Sequence, residues 1–149
     1  MPATLIVVLD SNEYIFGIGD PTSESAALLD ALATRDWQGT LVVATPWMVE
    51  REVVRNLSAL APMASRTFYF LLAHAPWDGV TYTDPPSELV LKYLDLGLAE
   101  EDAIIAAFAE MVNAQYLVSE NRHFLEGLKS DAFQVINAAA FLEMVKTGT

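Results

Sequence analysis

The chain has no cysteine, which excludes disulfides and thiolate metal sites. Its only histidines are His74 and His123, too few for a histidine-rich zinc centre. Basic residues are also scarce: eight Lys and Arg stand against twenty Asp and Glu, for a net charge of −12. That balance argues against a protein that grips nucleic acid through a broad basic surface. It leaves room for an enzyme that meets nucleic acid through a few bound cations, because metal ions invert the local charge. No apolar run is long enough to span a bilayer. The opening MPATLIVVLD has no basic residue ahead of its apolar run, which stops at Asp10. It reads as a first strand rather than a signal peptide, and the expected compartment is the cytoplasm. Internal repeats, linkers and low-complexity segments are missing too.

What is present is apolar and alternating. Hydrophobic residues make up 53% of 149 positions, enough for one domain, 1–149, with a sizeable core. Thr4–Leu9 is a continuous β-rich run of the kind buried on both faces of a parallel sheet. A short helix over Glu13–Phe16 follows, then a loop carrying Gly17, Gly19 and Pro21. Ser23–Asp36 reads as a helix and Leu41–Ala44 as a second strand. Thr45 is expected to cap the next helix, with Pro46 in its first turn and an end near Leu60. From Pro62 comes a helix with bulky Phe68, Tyr69, Phe70, Leu71 and Leu72. A helix apolar nearly all round is buried, in the core or against a second subunit. Gly79–Thr83 is a short third strand. Ser87 is expected to cap a helix from Glu88 to about Leu96, closed by Gly97. Glu100 to Val112 is a helix, Tyr116–Val118 a strand, and a polar loop follows Phe124. Phe133–Ile136 and Ala138–Val145 complete the chain as strand and helix. Strands alternating with helices predict a three-layer α/β/α fold with a mostly parallel sheet of about five strands.

Two places carry chemistry. Asp10-Ser11-Asn12 follows the first strand, where an acid is costly unless partnered or bound to a cation. An Asx-turn or helix cap is the competing reading of Asp10. The second place is Glu100 to Phe124. Asp102 shares a helix face with Ile105, Ala106 and Ala109, which draws it toward the sheet edge. Stabilisation of a helix N-terminus is its alternative role. Ser119-Glu120-Asn121-Arg122 lies just past the fourth strand. If strands one and four are neighbours, both sets meet at one edge, where α/β sheets build their sites. On the helix before them, Glu50 and Glu52 point to different sides, so one of the two faces such a site.

These residues resemble a family. VLDSN after the first strand, EVVRNL after the second, and EEDAIIAAFAE followed by LVSENRHFL are similar to the motifs of PIN domains, in the family's order and over essentially the whole chain. Many PIN domains are metal-dependent ribonucleases, and VapC-type toxins are single-domain examples of similar length. The resemblance implies catalytic and metal-binding roles for Asp10, Glu52 and Asp102. Glu50 is the reserve for Glu52. A fourth acid usual in the family falls on Asn121, with Glu120 as a substitute, and a further acid falls on His123. Both are departures. Ser11, Asn12, Ser119 and Arg122 would support the site or touch substrate. The implied cofactor is Mg²⁺ or Mn²⁺, hard ions that take oxygen ligands. The implied partners are an RNA substrate, an antitoxin protein and a second copy of the chain, with no membrane. Two functions follow: a metal-dependent endoribonuclease, or a PIN-like binding or scaffold domain whose site has decayed.

Overall fold

The computed structural model describes residues 3–34, 39–74, 78–128 and 130–146. Its elements run β1 (Ala3–Leu9), α1 (Ser11–Gly19), α2 (Glu24–Thr34), β2 (Gly39–Pro46), α3 (Trp47–Leu60), α4 (Ala64–His74), β3 (Asp78–Tyr82), α5 (Ser87–Asp95), α6 (Glu100–Met111), β4 (Tyr116–Val118), a π-helical turn (His123–Gly127), β5 (Gln134–Ile136) and α7 (Ala138–Lys146). The sheet has five strands in the order β3-β2-β1-β4-β5, and each adjacent pair is parallel. This is the expected α/β architecture, with the parallel arrangement complete.

The order of strands decides where a site can form. From β1 the chain steps to β2 and then β3 in one direction. It then crosses back over β2 and β1 to β4. Right-handed crossovers in opposite directions place their helices on opposite faces of the sheet. The helices α1, α2, α3, α4 and α7 pack among themselves, and α5 packs on α6. The reversal lies between β1 and β4, and the crevice beyond the carboxyl ends of those strands is the switch point. Register fixes it: Leu9 pairs with Val118, and the Asp10 N–H donates to the Val118 carbonyl at 2.9 Å. Strands covered on both faces need apolar residues throughout, and Val7, Val8, Leu9, Leu117 and Val118 are all fully buried. Burying each such side chain contributes roughly 1.5–3 kcal/mol.

Several local expectations are corrected. Gly17 and Gly19 do not make a loop, because α1 runs through both. Gly17 is there for closeness: a Cβ on it would lie 2.4 Å from Leu29 Cδ1, so only glycine lets α2 approach. Thr45 does not cap α3. It remains in β2, and Pro46 is the cap residue. The Thr45 hydroxyl is buried 3.0 Å from the Tyr14 hydroxyl, and the exposed start of α3 is served by Asp84, whose Oδ1 accepts the Met48 N–H at 2.9 Å. Ser87 is the first helical residue of α5 rather than its cap, which is Pro86. The expected polar loop after Phe124 is instead a π-helical turn, anchored by the fully buried Phe124 ring. Among the described side chains of α4 only Phe68 is fully buried, whereas Tyr69 and Phe70 are 46% and 64% exposed. The helix is therefore not enclosed within one subunit. Trp77 lies outside the described residues, as do 35–38 of the expected second helix. Gly97 closes α5 as expected, at φ +95°.

Candidate functional site

Three helices bring acids toward the crevice between β1 and β4: α1, which Asp10 caps, α3 with Glu52 and α6 with Asp102. Asp10 caps α1 with an extended backbone (φ −61°, ψ 154°), so its side chain folds back over the strand ends. It is 6% exposed. Its Oδ1 accepts the Ser11 N–H at 2.8 Å and lies 3.4 Å from the Ser11 hydroxyl. Its Oδ2 accepts the Ser119 hydroxyl at 2.7 Å, from the end of β4. The helix cap is thus a residue that also reaches Ser119 across the strand ends. Burial is the chief influence on Asp10 and raises its pKa. Hydrogen bonds from Ser119 and Ser11 oppose that, and the nearby Asp102 carboxylate adds to it. Among the described residues no basic group is one of these influences.

Asp102 sits in the first turn of α6, half-buried above the buried Ile105, Ala106 and Ala109. The small alanines let α6 lie close to the sheet, and that closeness carries Asp102 into the crevice. Asn121 Nδ2 reaches both Asp102 oxygens at 3.3 Å. The Asn121 Oδ1 accepts the His123 N–H at 2.9 Å, and the Asn121 N–H donates to the Ser119 hydroxyl oxygen at 3.0 Å. One hydrogen-bonded chain therefore runs Asp10, Ser119, Asn121, Asp102. Because Ser119 gives its proton to Asp10, its oxygen is free to accept from Asn121, which fixes the direction of the whole chain.

Glu52 reaches the same place from α3. Its pKa is raised, first by burial and then by Glu101 and Asp10, while a hydrogen bond from Ser11 and the Arg55 charge oppose the rise. Glu50 turns the other way and accepts the Tyr69 hydroxyl at 3.0 Å. Asp10 thus lies within electrostatic reach of both Asp102 and Glu52. Glu120 does not join them. Its Oε2 accepts the Ala138 N–H at the start of α7, at 2.9 Å. Asn12, Arg122 and His123 are exposed.

One acid was not singled out in the sequence. Glu13 is fully buried, and its Oε1 accepts the Ser25 hydroxyl at 2.7 Å. Its Oε2 has no protein donor. Burial, followed by the neighbouring Glu120 carboxyl and Asp10, pushes its pKa up to about 9. A hydrogen bond between the Glu13 and Glu120 carboxyls needs a proton on one of the two. The signal was its position three residues after Asp10, on the same side of a helix start.

The donors suit a hard divalent cation by type: they are carboxylates and an amide, and Arg55 offsets part of the charge on Glu52. They are not gathered into a ready ligand shell. Among the described residues no group of three or more His, Asp or Glu is placed to hold an ion.

The comparisons with known proteins bear on this geometry. Over 89% of the chain, the structure matches VapBC2 from Rickettsia felis, which was crystallised bound to a DNA fragment from its promoter. That match covers 98% of the other chain, with a TM-score of 0.63 and 17% identity. PAE2754 from Pyrobaculum aerophilum matches over 96% of this chain and 90% of its own, with a TM-score of 0.64 and 19% identity.

The fold is that of the PIN domain.

At these identities the likeness is one of fold. No family model matches the sequence, and neither does any curated protein. In this PIN fold, Asp10, Asp102 and Ser119 stand at the switch point of the sheet. Among the described residues no helix is long and apolar enough to cross a membrane.

Proposed function

We propose that this protein is a metal-dependent endoribonuclease of the PIN type that hydrolyses RNA phosphodiester bonds. The observation that carries the reading is Asp10: a nearly fully buried carboxylate, held by two serines, with Asp102 and Glu52 nearby and no basic group among the described residues acting on it. Like charges brought together in this way are stabilised by a bound cation. In this reading Asp10, Glu52 and Asp102 hold Mg²⁺ or Mn²⁺, with Asn121, whose amide nitrogen faces Asp102, as a neutral neighbour. When bound, the ion lowers the pKa of a coordinated water and offsets charge on the leaving oxygen.

The chain's own residues do the rest by position. Ser11 and Ser119 fix the Asp10 oxygens, so that carboxylate needs no rearrangement to bind. Asn121 steadies Asp102 across the mouth of the crevice. Asn12 and Arg122 are exposed beside these residues and reach the phosphate backbone. Ser11 and Ser119 both already donate to acids, which suits support rather than nucleophilic attack. The likeness to the Rickettsia felis complex supports a place in a toxin–antitoxin pair, with an antitoxin protein as partner.

A second reading rests on Asn121. Its amide donates to Asp102 where the motif usually supplies another acid, so the domain is then a binding or scaffold unit with a decayed site. Calorimetric titration with Mn²⁺ and cleavage of single-stranded RNA separate the two. The nuclease reading expects metal binding that Asp10→Asn weakens strongly, and slow cleavage that EDTA abolishes and Asp102→Asn loses with the fold intact. Mn²⁺ binding unchanged in Asp10→Asn, or cleavage that persists in EDTA, refutes it.

A further inference from the structure

A cavity of about 300 Å³ opens directly beside Asp102, between the α5–α6 connection and the π-helical turn. Leu96, Leu98 and Ala99 form one wall, and His123 and Gly127 the other, with Asp102 where the cavity meets the crevice. The volume is at the lower end of the range for small-ligand sites, about 300–1,000 Å³. Its composition is uneven in an informative way. Leu96 is an exposed large apolar side chain, 60% accessible, and it stands across from an exposed imidazole. Apolar side chains, an imidazole ring and a carboxylate around one small cavity suit a nucleobase, whose faces stack and whose edge accepts and donates hydrogen bonds.

We propose that this cavity receives the base of one nucleotide adjoining the phosphodiester held at Asp10 and Asp102, with His123 stacking on it. The inference rests on the nuclease reading, since it places the base relative to a phosphate at the acids. Continuity carries it: Asp102 belongs both to the acid crevice and to the cavity wall, so a strand whose phosphate meets the acids has its neighbouring base at the cavity mouth. The backbone keeps the mouth open. At Gly97 and at Gly127 an added Cβ would meet nothing within 4 Å. The His123 N–H is tied to Asn121 Oδ1, so the residue that stacks on the base is fixed to the residue that steadies Asp102. A base of the right shape therefore orders the same loop that supports the acid. The expected consequence is sequence preference at a single position next to the cut.

The test uses the whole protein in Mg²⁺, titrated with each of the four ribonucleoside 5′-monophosphates and followed by ¹H–¹⁵N NMR. Cleavage of short RNAs that differ in one base beside the cut is measured in parallel. Shifts are expected to concentrate at Gly97, Ala99, His123 and Gly127, with one base favoured. His123→Ala should weaken that binding by about 5- to 100-fold, the range for loss of one stacked base. Gly127→Leu adds bulk in open space at the cavity wall, at a position of ordinary φ, so it should block binding with the fold intact. Shifts centred elsewhere, no saturable binding of any monophosphate, or equal affinity in parent and both variants overturns the proposal. Cleavage without base preference, unchanged in both variants, also overturns it and leaves the nuclease reading standing. Monophosphate binding here without RNA cleavage keeps the cavity as a nucleotide site and sinks the nuclease reading instead.

Discussion

Replacing Glu13 with glutamine tests whether a proton is buried in the crevice. Glu13 is fully buried, with one oxygen bonded to Ser25 and the other beside Glu120 without a donor. Its pKa rises from an ordinary 4.5 to about 9 in the folded chain. The sign follows from linkage. Below pH 4.5 the group is protonated whether folded or unfolded, and its favourable contribution is fully present. Between 4.5 and 9 the unfolded chain releases the proton while the folded chain keeps it, so stability falls steadily as pH rises. Above 9 nothing further is lost. At pH 7 the loss already incurred is roughly 3 kcal/mol, from about 2.5 pH units at 1.36 kcal/mol each. Glutamine has no such proton to lose. Its carbonyl still accepts from Ser25 and its amide donates to Glu120. Glu13→Gln should therefore match the parent near pH 4.5 and exceed it by about 2–3 kcal/mol at pH 7. Urea unfolding at pH 4.5, 5.5, 7 and 8.5, with the slope of free energy on denaturant held common, measures the difference. Equal pH slopes in parent and variant would refute the buried proton. A variant destabilised equally at every pH would show that shape, not charge, governs the position.

Three further outcomes are expected. Gly17→Ala should destabilise the fold by about 1–3 kcal/mol, because its Cβ would sit 2.4 Å from Leu29 Cδ1 and 3.1 Å from the Ser25 carbonyl oxygen; thermal unfolding checks this, and an unchanged midpoint would mean that α1 and α2 are not in such close contact. Asn121→Asp places a carboxylate where an amide now lies 3.3 Å from both Asp102 oxygens. It should cost roughly 1–4 kcal/mol in EDTA and tighten Mn²⁺ binding over the parent, so Tm should fall without metal and rise with it; no metal-dependent difference would remove this loop from metal binding. The exposed Tyr69 and Phe70 of α4 predict a homodimer, and a monomer by light scattering at micromolar concentration would count against it.

The sequence by itself determined the elements and their order. Thr4–Leu9 fits a doubly buried strand because its run is apolar from Leu5 onward, and burial is complete from Val7 to Leu9; the alternation that follows implies a parallel sheet. Asp10, Asp102 and Ser119 were legible for the same reason: each stands at a strand end or helix start, where local chemistry restricts the choices. Glu52 over Glu50 rested on motif position, and α3 indeed turns Glu52 toward Ser11 and Asp10. What depends on distant neighbours was not legible. Gly17 reads as a turn until α2 lies against it, and Thr45 reads as a cap until Tyr14 takes its hydroxyl. Glu13 reads as a helix acid until the crevice closes over it. Glu120 had been the candidate to replace the missing acid, but the N-terminus of α7, which follows β5, claims its carboxylate. Glycines, hydroxyls and acids serve several ends locally, and only the packing of remote segments selects among them. The strand order itself, which sets β1 beside β4 and so creates the crevice, is a property of the assembled sheet.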